Sequence, residues 1–143
     1  MAEFWDIYDE NRNKTGKLAE RDGYEFKDGE YHVVVTGIIF NSKYEILISK
    51  RASWKKYGGL WECNGGSILA GETSLEGILR ELKEELGISF TEKDAIFLKE
   101  VKRDKKYQTL KIYGYFKKIF QLMRLHFLME RQLKLNGLQL NNL

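Results

Sequence analysis

Apolar and polar positions follow one another along the chain in short blocks that predict several strands. Tyr31–Phe40 is a β-branched, apolar run long enough for a central strand, and Glu45–Lys50 follows it after a polar turn as its hairpin partner. Phe4–Tyr8 and Lys17–Arg21 are expected to form an earlier hairpin around the polar turn Asp9–Gly16. The first third of the chain is therefore predicted to be mostly β-structure.

Further strands and helical patterns alternate in the rest of the chain. Trp61–Ile68 is predicted to be a strand that ends in glycines, and Ala95–Asp104 and Tyr107–Lys117 to pair as a second hairpin. The apolar, basic segment Ile119–Leu135 is predicted to be helical. Strands mixed with helices in this order indicate an α/β or α+β sandwich.

The clearest local pattern predicts a helix from Thr73 to Leu86. Leucine and isoleucine recur there at three- and four-residue steps, as expected for the buried face of a helix. Thr73 and Glu76 fit a capping box at its start, and Gly87 follows its end, where a left-handed residue commonly stops a helix. The buried face is predicted to consist of Leu75, Ile78, Leu79, Leu82 and Leu86.

Composition is that of an ordinary globular protein. The chain has 143 residues and a net charge of +3, which suits one domain over residues 1–143 and gives no reason to expect nucleic acid as a partner. No apolar run approaches the roughly 20 residues of a membrane span. Because the chain has one cysteine and no signal-peptide pattern at its start, we expect a cytoplasmic protein.

The charge is distributed unevenly along the chain. Residues 1–116 carry 19 basic and 20 acidic side chains, whereas residues 117–143 carry five basic side chains against one acidic. This atypical tail has four open interpretations: a helix that packs on the sheet, a homodimer contact, a membrane-leaning surface, or a shifted reading frame. Residues 1–30, with their predicted hairpin, lead into the domain.

Three carboxylates crowd the second half of the predicted helix. At 100° per residue, Glu84 and Glu85 lie within about 60° of Glu81, and the apolar face lies roughly 90–120° away. Like charges so close repel one another, and they also oppose the negative end of the helix dipole. A divalent cation would reverse both effects, and oxygen ligands without His or Cys suit Mg²⁺ or Mn²⁺ rather than zinc. Because Mg²⁺ is commonly shared with substrate phosphates, this face predicts metal-assisted attack on a phosphoanhydride.

The loop before the helix is rich in glycine. Gly65 and Gly66 flank this short loop on one side, and Gly71 flanks it on the other. Glycine allows backbone atoms to approach a metal ion or a phosphate closely. Arg80 is placed to pair with Glu72 in this loop or with glutamates one turn away on the helix.

The spacing of these residues resembles the Nudix box at every fixed position. The match is Gly66, five residues, Glu72, seven residues, Arg80-Glu81-Leu82, one residue, Glu84-Glu85, one residue and Gly87-Ile88. The segments "LISKRA" and "LWECNGG" extend the resemblance over roughly residues 30–116. The N-terminal part is similar to Nudix proteins described as like isopentenyl-diphosphate isomerase.

The resemblance implies a fold, a reaction and a cofactor. The fold is a Nudix-like α/β/α sandwich with a mixed central sheet and a loop–helix–loop motif. The implied reaction is hydrolysis of the diphosphate linkage in a nucleoside diphosphate-linked small molecule, with Mg²⁺ or Mn²⁺ as cofactor. Carried over by position, the metal ligands are Glu81, Glu84, Glu85 and the Gly65 carbonyl.

The resemblance also implies individual roles within the motif. Glu81 is expected to activate the attacking water, and Arg80 to orient Glu81. A further metal ligand or base from beyond the box is expected to be Glu100 or Glu130. The implied catalytic residues are Glu81, Arg80 and Glu84, and the structural motif positions are Gly66, Glu72 and Gly87.

Two other functions stay open beside hydrolysis. An isopentenyl-diphosphate isomerase needs a catalytic cysteine within a modified box and histidines on its metal. Here Gly65 takes the cysteine's place, Cys63 is expected to face the opposite side of its strand, and His32 is interpreted as an ordinary strand residue. A non-catalytic nucleotide-binding Nudix protein is the other alternative. The complete hydrolase-like box favours hydrolysis over both.

Candidate substrate-binding residues precede the box. Arg51, at the end of a predicted strand, is positioned to neutralise substrate phosphates. Trp61 is interpreted either as a stacking platform for a base or as a packing residue. The partner is predicted only as a small-molecule diphosphate.

Overall fold

The computed structural model describes residues 2–21, 23–103 and 109–117. Within these ranges the chain forms eight strands, one α-helix (α1, Ser74–Leu86) and one 3₁₀-helix (Glu92–Asp94). The strands are β1 (Phe4–Tyr8), β2 (Lys14–Glu20), β3 (His32–Phe40), β4 (Ile46–Leu47), β5 (Ser49–Lys50), β6 (Trp61–Glu62), β7 (Ala95–Arg103) and β8 (Thr109–Lys117).

The main sheet is mixed, as predicted. Its four strands lie in the order β4–β3–β8–β7. β3 and β8 are parallel, in register from His32 opposite Thr109 to Phe40 opposite Lys117. β4 pairs antiparallel with β3, and β7 pairs antiparallel with β8, which confirms two of the three predicted hairpins; the third, β1–β2, forms a separate two-stranded sheet. With α1 against it, this sheet has the predicted α+β class.

The prediction of one strand over Glu45–Lys50 is wrong. The chain divides this segment into β4, on the main sheet, and β5, which pairs with β6 in a separate two-stranded sheet. The sequence looks like one strand because the buried residues of the two short strands, Leu47 and Ser49, are two positions apart, as buried residues are within a single strand. β6 pairs with β5, and the residues that follow β6 lie beside β3.

Residues 64–68 run along one edge of β3, while β8 pairs with the other edge. They do not form the predicted regular strand. The N–H groups of Val35 and Gly37 donate to the carbonyls of Gly66 at 2.8 Å and Asn64 at 2.9 Å. Gly65 breaks the regularity, since its φ of +155° favours glycine, and a Cβ there would lie 2.1 Å from the Val35 carbonyl oxygen. Residues 64–68, called the bare strip below, therefore present mostly backbone beside β3 at Gly65 and Gly66.

Helix α1 packs its leucine face on β3. Leu82 and Leu86 are fully buried, and burial of such a side chain contributes roughly 2–3 kcal/mol. The helix comes close because Gly37 has no side chain: a Cβ there would lie 3.1 Å from the Phe116 ring and 3.3 Å from Ile78 and Leu82. The opposite face of α1 is left for its glutamates.

Both predicted ends of α1 are confirmed. The Thr73 hydroxyl accepts a hydrogen bond from the N–H of Glu76 at 3.2 Å, and the Glu76 carboxylate accepts from the N–H of Thr73 at 2.8 Å. Gly87 is left-handed, with φ of +68°, and its N–H donates to the Lys83 carbonyl. The capping box and the glycine fix where α1 begins and ends.

The N-terminal hairpin β1–β2 docks against the loop that enters α1. The N–H of Ala70 donates to the Phe4 carbonyl at 2.7 Å, and the N–H of Gly71 donates to Asp6 at 2.8 Å. The hairpin is longer than predicted, since β2 begins at Lys14 rather than Lys17. It therefore braces the loop of the predicted motif.

The predicted helix over Ile119–Leu135, with the interpretations of the tail, lies outside the described residues. So does Glu130. Among the helices that the structure describes, none has the length and apolar character that a membrane crossing requires.

Candidate active site

Arg80 is the centre of a hydrogen-bond network on the side of α1 that carries its glutamates. Its Nε and Nη2 donate to the two carboxylate oxygens of Glu72 at 2.7 and 3.0 Å, and its Nη1 donates to Glu81 and Glu84 at 3.0 and 3.1 Å. A fifth bond, from Nη2 to the Ser67 carbonyl, measures 3.2 Å. A guanidinium has five N–H donors, so these five bonds use every donor of Arg80.

Glu72 ties the loop to the helix. Its carboxylate also accepts a bond from the N–H of Leu69 at 2.8 Å. Burial pushes the pKa of Glu72 upward, but Arg80 and the Leu69 N–H outweigh it and leave the pKa below its usual value. The hydrogen bonds to Glu72 in turn raise the pKa of Arg80. The loop and α1 are thus joined by an ion pair that stays charged at neutral pH.

Glu81 points at the backbone of Gly66. Its side chain is 15% exposed. Burial raises the pKa of the Glu81 carboxyl, and the Arg80 cation offsets only part of that shift. A Cβ on Gly66 would lie 2.4 Å from one carboxylate oxygen of Glu81, so glycine is what leaves room for this carboxylate.

Glu85 is held by the bare strip beside β3. The Asn64 side-chain amide donates to Glu85 at 3.0 Å, and the N–H of Gly65 donates to the same oxygen at 3.3 Å. Burial raises the pKa of the Glu85 carboxyl despite these two bonds. Asn64 is buried, and its Oδ1 has no hydrogen-bond partner within the described part of the chain. An unsatisfied acceptor therefore lies close to Glu85.

The three glutamates line one cavity of about 700 Å³. β3, β8, the bare strip and the ends of the N-terminal hairpin form its other walls. Charged side chains of both signs dominate the lining. The acidic ones are Glu3, Glu62, Glu81, Glu84 and Glu85, and the basic ones are Arg21, Arg51, Lys55, Arg80 and Lys111.

The carboxylates lie along one wall rather than in a closed cluster. Among the described residues, no three His, Cys, Asp or Glu side chains converge as ligands of one metal ion do. The reason is visible in the network, since Arg80 holds Glu81 and Glu84 while Asn64 holds Glu85. The donor set still fits Mg²⁺ or Mn²⁺, because all donors are oxygens and Mg²⁺ uses few protein ligands beside water and phosphate. Burial of Glu81 and Glu85 disfavours their charged forms, and a cation would offset that cost.

The two predicted substrate contacts lie in different places. Arg51 lines the cavity, where its Nη1 donates to both carboxylate oxygens of Glu62 at 3.1 Å. Trp61 is not part of the cavity wall; the Lys50 ammonium lies 5.7 Å from the centre of its ring. Side chains alternate along a strand, so β6 turns Glu62 toward the cavity and Trp61 away from it.

Of the two predicted ligands from beyond the box, Glu100 is not at the cavity. Glu100 pairs with Arg12 at 2.8 Å, between β7 and the N-terminal hairpin. It is absent from the lining of the cavity, and Glu130 is not among the described residues.

Of the two residues relevant to isomerase chemistry, Cys63 lies at the cavity and His32 does not. Cys63 lines the cavity, contrary to the expectation that it faces the other way, and burial raises the pKa of its thiol. His32 lies outside the lining, stacked at 4.3 Å on the Trp5 ring, and burial lowers its pKa to about 4. His32 is thus a buried strand residue, as interpreted from the sequence.

Among the residues of the site that sequence reasoning missed are Asn64, Lys111 and Tyr113. The last two line the cavity from β8, while their neighbours Leu110 and Ile112 are buried. Polar residues at alternate positions of an otherwise apolar strand were the available signal. No local signal marked Asn64, because its role depends on the pairing of its segment with β3.

Comparisons with known proteins identify relatives of this chain by sequence and by structure. A family model described as the NUDIX domain matches residues 30–133. An uncharacterized Nudix hydrolase of Listeria monocytogenes is 44% identical over 88 residues, which cover 60% of this chain and 52% of that protein. An isopentenyl-diphosphate Delta-isomerase of Pectobacterium atrosepticum is 37% identical over 84 residues, covering 57% and 46%. The chain thus spans about half the length of these curated relatives.

A solved structure extends the similarity to three dimensions. It belongs to a study of MutT from Aliivibrio salmonicida and Vibrio cholerae, and it is 37% identical with a TM-score of 0.52. The similarity covers 60% of this chain and 64% of that one. The N-terminal hairpin β1–β2 precedes the family match, although its ends reach the cavity.

Proposed function

Because the NUDIX domain spans most of its length, this chain belongs to the Nudix family, and from that premise we propose that it is a metal-dependent hydrolase of a diphosphate linkage. The Nudix family acts on pyrophosphate bonds and generally uses a divalent metal. The observation that supports the proposal is the network in which Arg80, Gly66 and Asn64 hold three glutamates along one cavity.

In this proposal Mg²⁺ or Mn²⁺ is held by Glu81, Glu84 and Glu85, with the Gly65 carbonyl as a further oxygen donor. When bound, the metal supplies charge neutralisation at the leaving phosphate and a more acidic water. Glu81 accepts the proton of the attacking water, because it is the most enclosed carboxylate bonded to Arg80. Glu84 also lines the cavity, and its side chain is 58% exposed.

Arg80 acts as a positioning residue. Its bonds to Glu72 fix the guanidinium, and the fixed guanidinium sets the orientation of Glu81. Arg51 neutralises a substrate phosphate from the opposite side of the cavity, once the phosphate competes with Glu62 for its guanidinium. The substrate is a small molecule with a diphosphate bridge, of the nucleoside diphosphate-linked kind.

The test is release of phosphate or nucleoside monophosphate from a panel of diphosphates with Mg²⁺ and with Mn²⁺. The wild type is compared with Glu84→Gln and Glu85→Gln, and with Glu92→Gln as a control, since Glu92 is an exposed glutamate outside the cavity. We expect wild-type and control activity to match and the two site variants to lose at least a hundredfold. Equal activity in all four proteins would remove the site assignment.

One observation favours a second candidate, an isomerase of isopentenyl diphosphate. Cys63 lines the same cavity, and one of the relatives is an isopentenyl-diphosphate Delta-isomerase. The raised pKa of the thiol keeps it protonated at neutral pH, so it would act as an acid. Conversion to dimethylallyl diphosphate that is lost in Cys63→Ala would support this candidate, and absence of any conversion would remove it.

A further inference from the structure

The basic side chains of the cavity differ in how they are paired. Arg21 pairs with Glu3, Arg51 with Glu62, and Arg80 with the loop glutamate and two helix glutamates. In the stretches that the structure describes, neither Lys55 nor Lys111 has a carboxylate within 4.0 Å. These two lysines are therefore cations of the cavity lining that no ion pair holds, although Lys55 lies near enough to Glu85 to lower the pKa of its carboxyl.

Lys111 lines the cavity from β8. It lies on β8 directly opposite Val34 of β3, and Tyr113 lies two residues on, opposite Thr36. All four line the cavity, as expected for alternate residues on one face of two neighbouring strands. The intervening Ile112 is buried. Because a β-strand in a sheet is rigid, Lys111 projects from a fixed base rather than from a loop.

Tyr113 is the one aromatic side chain in the described lining of this cavity. The Lys111 ammonium lies 5.2 Å from the centre of its ring, and the Lys99 ammonium lies 5.6 Å from the same ring. The ring attracts each of the two ammonium groups, but the two like charges repel one another and make this end of the cavity positive. Such a place favours an anionic group over a neutral base.

We propose that Lys111 binds a second anionic group of the substrate, a phosphate monoester separate from the diphosphate bridge that is cleaved. This inference rests on the proposed function, because it places the bridge at the glutamates. The enzyme then prefers diphosphates that carry a further phosphate over otherwise identical compounds without one. A charge-assisted hydrogen bond from a partly enclosed ammonium to a phosphate is consistent with a preference of roughly 10- to 100-fold.

The test uses pairs of compounds that differ by one phosphate monoester: coenzyme A with dephospho-coenzyme A, and NADP⁺ with NAD⁺. The ratio of kcat/KM within each pair is measured for the wild type and Lys111→Met. We expect the wild-type ratio to favour the phosphorylated member and the Lys111→Met ratio to fall to near 1, mainly through a higher KM. Lys111→Arg, which keeps the charge, should restore most of the preference.

Lys99→Met is the matched control. Lys99 approaches the same ring from β7 but does not line the cavity. If both lysine variants lower the ratio equally, Lys111 acts only by supporting Tyr113, and the proposal is overturned. A wild-type ratio near 1, or a ratio unchanged in Lys111→Met, would overturn it as well.

Binding measurements separate this proposal from the proposed function. Calorimetry with each member of the two pairs, in the presence of Ca²⁺ instead of Mg²⁺, reports affinity without turnover. If no compound is hydrolysed but the wild type still binds the phosphorylated members more tightly, and Lys111→Met does not, hydrolysis fails while the role of Lys111 stands. If the affinities within each pair are equal, the role of Lys111 fails whatever is hydrolysed.

Discussion

Gly66→Ala adds one methyl group directly against the Glu81 carboxylate of the proposed site. The new Cβ would lie 2.4 Å from one Glu81 carboxylate oxygen and 2.7 Å from the other, where ordinary contact begins at 3.4 Å. The carboxylate must therefore move by about 1 Å, and a displacement of that size at a catalytic group can lower the rate by about 10²-fold. The obstacle is the end of a flexible side chain, so we expect the fold to accommodate it with a Tm change of only a few degrees.

The assay measures diphosphate hydrolysis and thermal unfolding on the same preparations. Gly65→Ala is the comparison, because its Cβ would lie 2.1 Å from the backbone oxygen of Val35, in a region of φ that disfavours side chains. We expect Gly65→Ala to lose stability and Gly66→Ala to lose activity. The reasoning is refuted if Gly66→Ala keeps wild-type activity, or if it unfolds as readily as Gly65→Ala.

Three further predictions concern stability. Arg80→Lys removes the paired bonds to Glu72 and should lower the free energy of unfolding by about 1–3 kcal/mol in urea titrations; an unchanged midpoint would contradict the network. Burial lowers the pKa of His32 to about 4. Between pH of about 6.5 and 4 the unfolded chain therefore binds a proton on His32 that the folded chain does not bind, so the free energy of unfolding falls as the pH drops through this range. His32→Phe should remove that part of the loss. The difference in Tm between the wild type and His32→Phe should therefore change between pH 6.5 and 4, and a constant difference would contradict this reasoning. Thr73→Ala removes the N-cap of α1 and should cost about 1 kcal/mol, with Thr73→Ser restoring most of it.

The parts of the fold that the sequence predicts well depend on local signals. The capping box at Thr73 and the left-handed Gly87 are read from neighbours within four residues, and both ends of α1 are where they were expected. The placement of three glutamates on one side of α1 follows in the same way from helical rotation. Strand existence was also predictable, since runs such as β3 are strongly apolar.

What the sequence does not predict depends on pairing between distant segments. The division into β4 and β5 follows from the choice of two different partner strands. Asn64 reaches Glu85 only because its segment lies along β3, and Lys111 reaches the cavity only because β8 is parallel to β3. The direction in which each glutamate points follows from Arg80 and Asn64, so helical spacing alone suggested a tighter cluster than the structure shows.

The central claim is that the glutamates of α1 hold a divalent metal for diphosphate chemistry. The most direct measurement is anomalous diffraction from a crystal soaked in Mn²⁺. We expect a Mn²⁺ peak bonded to oxygens of Glu81, Glu84 or Glu85, with Arg80 remaining on Glu72. The absence of a peak at this wall at millimolar Mn²⁺, or a peak bound elsewhere with these carboxylates unchanged, would contradict the claim.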